Sequence, residues 1–251
     1  MSHQSTLNIK LTEVIFKFPK NILPDIFDNY QILHLSDLHL DIMPGLVAAI
    51  EKLDINLHAD LVVFTGDFKD NTQTDYSSLQ TSFSKLISLL KNKDGMLAVP
   101  GNHDSHLLPN FLSHFGIETL INESISISRN KKEIFITGVD DVYSFYSNEA
   151  DKALSYPLSG FKILLVHSPN FINQASFHNY HLYLTGHTHG GQICLPGERP
   201  ILTRGIPPKF IKGPWVYNNL SGYTSRGLGC STVPLRLFSH GEITKLTLRV
   251  G

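Results

Sequence analysis

Three short apolar runs, YQILHLS (30–36), DLVVFTG (60–66) and GMLAVPGN (95–102), alternate with two segments of helical period. Runs of this length, rich in Val, Ile, Leu and Phe, read as strands covered on both faces. PGLVAAIEKLDINLH (44–58) reads as an amphipathic helix, and so does YSSLQTSFSKLISLLKN (76–92), where Leu79, Phe83, Leu86 and Leu90 share one stripe. A β-α-β-α-β chain with short connections closes as parallel strands with right-handed crossovers. After this unit strands predominate. ISISRNKKEIFITGV (125–139) predicts a hairpin turning at RNKK, and FKILLVHS (161–168) and YHLYLTG (180–186) predict strands around a short helix at 169–178. A Pro- and Gly-dense loop from Leu195 to Pro214 precedes the strand-like WVYNNLSGYTSRGLG and ITKLTLRV. No repeat or composition shift interrupts the chain, so the expectation is one α/β domain over 1–251.

Charge and cysteine usage narrow the function. With 21 Lys+Arg against 22 Asp+Glu the formal net charge is -1, which supplies no field for non-specific binding of nucleic acid. Cys194 and Cys230 are the two cysteines and form no C-x-x-C, so neither a disulfide framework nor a zinc knuckle is indicated. The N-terminal segment has no basic start followed by an apolar core, and no run approaches the roughly 18 apolar residues of a spanning helix. A cytoplasmic location is expected, with peripheral membrane contact left open.

Polar groups follow the apolar runs in a pattern. Asp37 and His39 follow the first, Asp67 and Asp70 the second, and Asn102, His103 and Asp104 the third; His167 ends the run at 161, and His187 and His189 follow the run at 180. In open α/β sheets the ligand site lies beyond the carboxyl ends of the strands, so these scattered groups are expected to converge. Each motif alone has a plain reading as a helix cap or a polar turn. Together they offer carboxylates, an amide oxygen and imidazoles without thiolate, a donor set suited to Mn, Fe, Zn or Ni. One ion cannot use them all. Two ions about 3.5–4 Å apart can, if one carboxylate bridges them, and such pairs clamp both oxygens of a displacement at phosphorus. Two carboxylates leave such a pair net positive, fit for a phosphate ester.

SDLH (36–39), GDFKD (66–70), GNHD (101–104), VHSP (166–169) and GHTHGG (186–191), in that order, resemble the calcineurin-like metallophosphoesterase superfamily. GHTHGGQICLPG with YTSRGLGCSTVPLRLFSHGEI extends the resemblance to its YkuE/YaeI-like phosphodiesterase subgroup, although Ser239-His240-Gly241-Glu242-Ile243 departs from the usual Pro-Glu-Ile. The resemblance implies a four-layer αββα sandwich of two mixed sheets with a dinuclear metal site at the strand C-terminal ends. It implies that Asp37, His39 and His189 hold one divalent ion, that Asn102, His167 and His187 hold the other, and that Asp67 bridges them. Manganese is the first expectation, with Fe, Zn or Ni as alternatives. His103 would face the leaving-group oxygen, its pKa raised by Asp70, while a metal-bridging hydroxide attacks. Asp104 reads as a turn-bracing carboxylate.

The expected substrate is a small phosphoester, nucleotide- and lipid-linked forms included. A UDP-2,3-diacylglucosamine pyrophosphatase of lipid A assembly is the alternative, and a non-catalytic scaffold the alternative from another class. His34 reads as a core residue, and His58, His106, His114, His178, His181 and His240 match no ligand block. The segment 198–215 carries Arg199, Arg204, Lys209 and Lys212 with Ile206, Phe210 and Trp215. It reads either as a lid over the site or as a loop packed inward.

Overall fold

The computed structural model describes residues 6–144, 147–203 and 205–251. In chain order its elements are β1 (Ile9–Phe18), β2 (Tyr30–Leu35), α1 (Leu46–Glu51), β3 (Leu61–Thr65), α2 (Gln80–Leu89), β4 (Met96–Val99), α3 (Leu108–Ser113), β5 (Ile117–Thr119), β6 (Glu123–Arg129), β7 (Lys132–Gly138), α4 (Asn148–Ser155), β8 (Phe161–Leu165), α5 (Ile172–Phe177), β9 (Leu182–Thr185), β10 (Cys194–Leu195), β11 (Arg199–Pro200), β12 (Gly213–Tyr217), β13 (Leu220–Thr224) and β14 (Gly241–Val250). One six-stranded sheet has the order β1-β14-β2-β3-β4-β5 and the other β12-β13-β9-β8-β7-β6. β2 to β5 run parallel, as do β7, β8, β9 and β13; β14 against β2, β6 against β7 and β12 against β13 are antiparallel, so both sheets are mixed.

Strand periodicity makes the layers. Successive side chains point to opposite faces, and the central strands are apolar on both. Ile32, Val63, Ile163, Leu165, Leu182 and Leu184 fill the space between the two sheets. Leu33, Leu35, Val62 and Phe64 point the other way, onto Leu46, Ile50, Phe83, Leu86 and Leu112 of α1, α2 and α3. On the far side Leu164 and Tyr183 pack with Ala150, Leu154, Ile172 and Ala175 of α4 and α5. Three apolar seams separate four layers, and the architecture is the αββα sandwich.

Several boundaries differ from the sequence-based expectation. The helix expected over 44–58 is α1 alone, because Asp54 takes a left-handed backbone (φ 49) and His58 bridges to Lys91. The helix expected over 76–92 opens with a 3-10 turn at Tyr76–Leu79, capped by the Asp75 side chain on the Ser77 N–H. β1 carries no strong pattern of its own. It pairs in register with β14, Ile9 with Gly241 through Phe18 with Val250, a contact between the two ends of the chain. Among the described residues no helix is long and apolar enough to cross a membrane.

Candidate metal centre

The parallel register of β2, β3 and β4 brings their carboxyl ends level, and β8 and β9 deliver theirs from the second sheet. Just past these ends the backbone turns sharply. Asp37 (φ 51), His39 (φ 42), Asp67 (φ 58), His187 (φ 67) and His189 (φ 52) all take the left-handed conformation, which Asp and His tolerate better than most residues. Such concentration of strained backbone is a mark of a functional site. The turns brace one another. Asp37 N–H donates to Gly66 O at 3.0 Å, and His39 N–H to Asp67 O at 3.2 Å. The Asp104 carboxylate accepts from the N–H groups of Asp67 (2.8 Å), Gly101 (2.9 Å) and Phe68 (3.1 Å) and from the Tyr76 hydroxyl (3.2 Å). It therefore braces two loops rather than its own turn alone. Gly186 lies so close to the first sheet that a Cβ there would overlap Ser36 Oγ and Asp37 Oδ2.

The donor atoms gather in two sets. In the first, His189 Nε2 is 3.2 Å from Asp37 Oδ1 and 3.2 Å from His39 Nε2, which is 3.7 Å from Asp67 Oδ2. In the second, His167 Nε2 is 3.1 Å from Asn102 Oδ1, 3.3 Å from His187 Nδ1 and 3.2 Å from Asp67 Oδ2, and His187 Nδ1 is 2.9 Å from Asn102 Oδ1. Asp67 Oδ2 belongs to both. Donors held about 2.1 Å from one ion stand about 3.0 Å apart at octahedral and about 3.4 Å at tetrahedral angles; the second set and the His189 contacts of the first match that spacing, and the 3.7 Å from His39 to Asp67 is slightly wider.

Tautomers sharpen the fit. His39 Nδ1 lies 3.2 Å from Lys69 O, and His167 Nδ1 lies 2.6 Å from Thr65 O. A main-chain carbonyl only accepts, so in the neutral rings these nitrogens carry the protons and both Nε2 atoms present bare lone pairs. Those lone pairs face carboxylate, amide oxygen and other imidazoles inside a buried cluster. Lone pairs so arranged repel unless a cation or protons lie between them.

The ionisation preferences agree. Burial pushes His39 down to about 4 and, with the neighbouring His167, pushes His187 down to about 3, so both rings are neutral at physiological pH. Burial would raise Asp37 and Asp67, but the surrounding imidazoles outweigh it and hold both below the usual carboxylate range. Burial would lower His167, yet Asp67, Asp37 and Asp141 prevail and bring it up to about 10. The cluster draws a proton where no metal neutralises its carboxylates. Asp104 is pushed up to about 7 by burial and by the charge of Asp67, against the backbone donors it accepts.

His103 and Asp70 sit beside the first set. The His103 N–H donates to Asp67 Oδ1 at 2.9 Å, and its ring Nδ1 meets the main-chain carbonyl of Asp70. The Asp70 carboxylate accepts instead from Thr232 N–H (3.0 Å) and lies 3.5 Å from His39 Nδ1. Asp70 thus contacts His103 through its backbone, although single donor atoms of His39, Asp70 and His103 lie within 4.8 Å of one another. Asn102 and His103 are half-buried and form the accessible side of the cluster.

Other residues fall outside the donor sets. His34 is buried, with Nε2 2.7 Å from Thr65 Oγ1. His106 is exposed. The Cys194 thiol donates to Gly190 O. In the segment 198–215, Ile206, Phe210, Ile211 and Trp215 are buried, and Glu198 pairs with Arg226 (2.8 Å) and Lys212 (3.2 Å). Arg204 lies outside the described residues.

Three residues went unnoticed in the sequence. Arg236 is wholly buried, and its guanidinium donates to the carbonyls of His189 (3.0 Å), Arg226 (2.8 Å), Gly227 (3.0 Å) and Gly229 (2.6 Å). The signal available was a lone cation inside the apolar PLRLF. Lys69 is buried too, its ammonium donating to Thr72 O (2.9 Å) and Thr74 O (2.7 Å) and so closing the loop behind Asp67. Tyr143 packs its ring 4.5 Å from that of His187 while staying half-exposed; nothing local in the sequence marks it.

The chain is similar in sequence and in fold to known proteins. The sequence model of the calcineurin-like phosphoesterases matches residues 30–191. The chain is 33% identical to the metallophosphoesterase YkuE of Bacillus subtilis, over 96% of this chain and 86% of that one. It is 28% identical to the phosphodiesterase YaeI of Escherichia coli, over 87% and 81%. Among solved structures, a candidate 5'-nucleotidase of Staphylococcus aureus shares the fold with a TM-score of 0.51 at 11% identity, covering 89% of this chain and 55% of that one.

Proposed function

The chain belongs to the calcineurin-like phosphoesterase family and is a metal-dependent hydrolase of phosphoesters, and we propose that it cleaves phosphodiesters at a dinuclear centre. Asp37, His39 and His189 would hold one divalent ion, Asn102, His167 and His187 would hold the second, and Asp67 would be shared. The observation that carries this reading is the membership of Asp67 Oδ2 in both donor sets, 3.7 Å from His39 Nε2 and 3.2 Å from His167 Nε2. The phosphodiesterase YaeI supports a diester as substrate. Manganese is the proposed native metal, with Fe, Zn and Ni compatible with the same donors. When bound, two such cations supply Lewis acidity, lowering the pKa of water to make a nucleophile and neutralising charge on phosphate.

The protein's own groups do the rest. Carbonyls of Lys69 and Thr65 orient the His39 and His167 rings. The Asp70 carbonyl engages His103 Nδ1 and leaves Nε2 as the nitrogen that serves the substrate. Protonated there, His103 donates to the departing oxygen, general acid catalysis of a kind worth about 10²–10⁴-fold.

Elemental analysis of reconstituted protein tests both parts. Wild type is expected to retain two ions per chain and Asp67→Ala to lose both and its activity. His103→Ala is expected to keep both ions while kcat falls about 10²–10⁴-fold. Full turnover with a single ion, or metal loss in the His103 variant, refutes the division of labour.

A further inference from the structure

Beside the candidate centre lies a cavity of about 410 Å³, with His187 and His189 in one wall. This is a size that takes a small organic group. The other walls are mostly aliphatic: Ile193, Ile201, Leu202, Ile206, Ile211 and Val233. Two of the polar side chains in the lining, Thr188 and Gln192, are committed to the protein, and the Ser231 and Thr232 hydroxyls meet each other at 3.4 Å. The Thr188 hydroxyl donates to Ile211 O at 2.5 Å, and the Gln192 amide donates to the carbonyls of Ser231 (3.0 Å) and Val233 (3.1 Å) while accepting from Ser231 N–H (2.9 Å). Among the described residues no Phe, Tyr, Trp or Arg lines the cavity, and its two imidazoles, His187 and His189, belong to the donor sets.

That chemistry selects its occupant. A nucleobase is held by stacking on aromatic or guanidinium planes and by hydrogen bonds to its edges; here the only rings among the described lining residues are the two donor-set imidazoles, and aliphatic side chains make up most of the remaining wall. A flexible hydrocarbon chain asks only for aliphatic contact. The mouth is apolar as well, with Ile201 53%, Leu202 74% and Val233 49% exposed, surface that a chain entering there would cover.

We propose that this cavity holds the hydrocarbon arm of the substrate, so that the phosphoester is amphiphilic, with phosphorus at the metal centre and an unbranched alkyl or acyl chain between Ile193, Ile211 and Val233. The inference rests on the reading of the centre as a phosphoesterase. It places specificity in the segment 198–215, which builds one wall from Ile201, Leu202, Ile206 and Ile211.

The test is a homologous series of p-nitrophenyl alkyl phosphates, methyl to octyl, kept below their aggregation concentration, with the p-nitrophenyl ester of thymidine 5'-phosphate as the nucleotidyl comparator. In each, water adds to phosphorus, p-nitrophenolate departs and the alkyl or nucleoside monoester remains. Transfer of one methylene out of water is worth up to about fourfold. The expectation is that kcat/KM rises two- to fourfold per carbon until the cavity is full. Ile201→Asn and Val233→Asn, at partly exposed positions, are expected to lower the octyl-to-methyl ratio; thermal unfolding checks that they fold. A flat series, or a nucleotidyl ester cleaved faster than the octyl ester, overturns the proposal and leaves the phosphoesterase reading standing. Cleavage of none of the esters with Mn, Zn or Ni overturns that reading instead. Calorimetric titration with octylphosphonate and methylphosphonate then decides the cavity by itself: tighter octyl binding, weakened in Val233→Asn, upholds it, and equal binding removes it.

Discussion

Replacing Arg236 with Met keeps most of the buried volume and removes the guanidinium on which four main-chain carbonyls converge. Two of these keep another donor, since His189 O also accepts from Gln192 N–H and Gly227 O from Glu242 N–H, both at 3.0 Å. Gly229 O, in buried surroundings, and Arg226 O, in part-buried ones, lose the donor that Arg236 provides. An unsatisfied buried carbonyl costs about 1–3 kcal/mol and a part-exposed one less, so the variant should lose about 2–4 kcal/mol. Relief from burying a cation offsets some of this. At about 2–4 °C per kcal/mol for a chain of this size, the melting temperature should fall by about 4–16 °C. The damage should also reach the metal site. Leu228 N–H donates to Ser36 O (2.9 Å) and Gly229 N–H to Asp37 O (2.7 Å), so the loop that Arg236 gathers is the backing of Asp37. Urea unfolding of metal-stripped protein measures the first effect, and the extra stability conferred by added Mn, which reports affinity for the folded state, measures the second. Stability of Arg236→Met within about 0.5 kcal/mol of wild type, an ordinary surface-substitution effect, together with unchanged Mn stabilisation would show that this cation does not hold the loop.

Gly186→Ala is expected to abolish metal binding or folding, because its methyl group overlaps Ser36 Oγ and Asp37 Oδ2; a variant that retains two ions by elemental analysis would contradict the close approach. His34 supplies a pH dependence. Burial holds its pKa at about 3, whereas an unfolded histidine titrates near about 6.5. Between those values the unfolded chain binds the extra proton, so the full contribution is present above about pH 6.5 and is lost as pH falls toward 3, on the order of 5 kcal/mol in all. His34→Phe should flatten that acid limb in urea titrations at successive pH values, and an unchanged slope relative to wild type would count against it.

Much of the candidate site could be read along the chain because each donor follows an apolar strand, and that pairing is a local pattern. Asp37, Asp67, Asn102, His167 and His187 all lie within a few residues of a strand end, and α/β topology itself forces such ends to one edge. Residues acting through long-range contact left weaker marks. Arg236 works on carbonyls of residues 189 and 226–229, and Tyr143 lies against His187 from a loop after β7. The contact between Asp70 and His103 is a finer case: both residues stood out in the sequence, but backbone geometry chose the carbonyl over the carboxylate.

By itself the sequence determined the α/β class and the candidate donor groups, because strand and helix periods and strand-end polarity are short-range consequences of backbone geometry, while the four-layer sandwich was implied by the family resemblance of its motifs. The tertiary structure alone decided the seating of β1 beside β14, the tautomers imposed by Lys69 O and Thr65 O, and the aliphatic cavity beside His187 and His189. Each of these depends on which distant groups come to share a space, and that follows from packing the whole chain rather than from any one stretch of it.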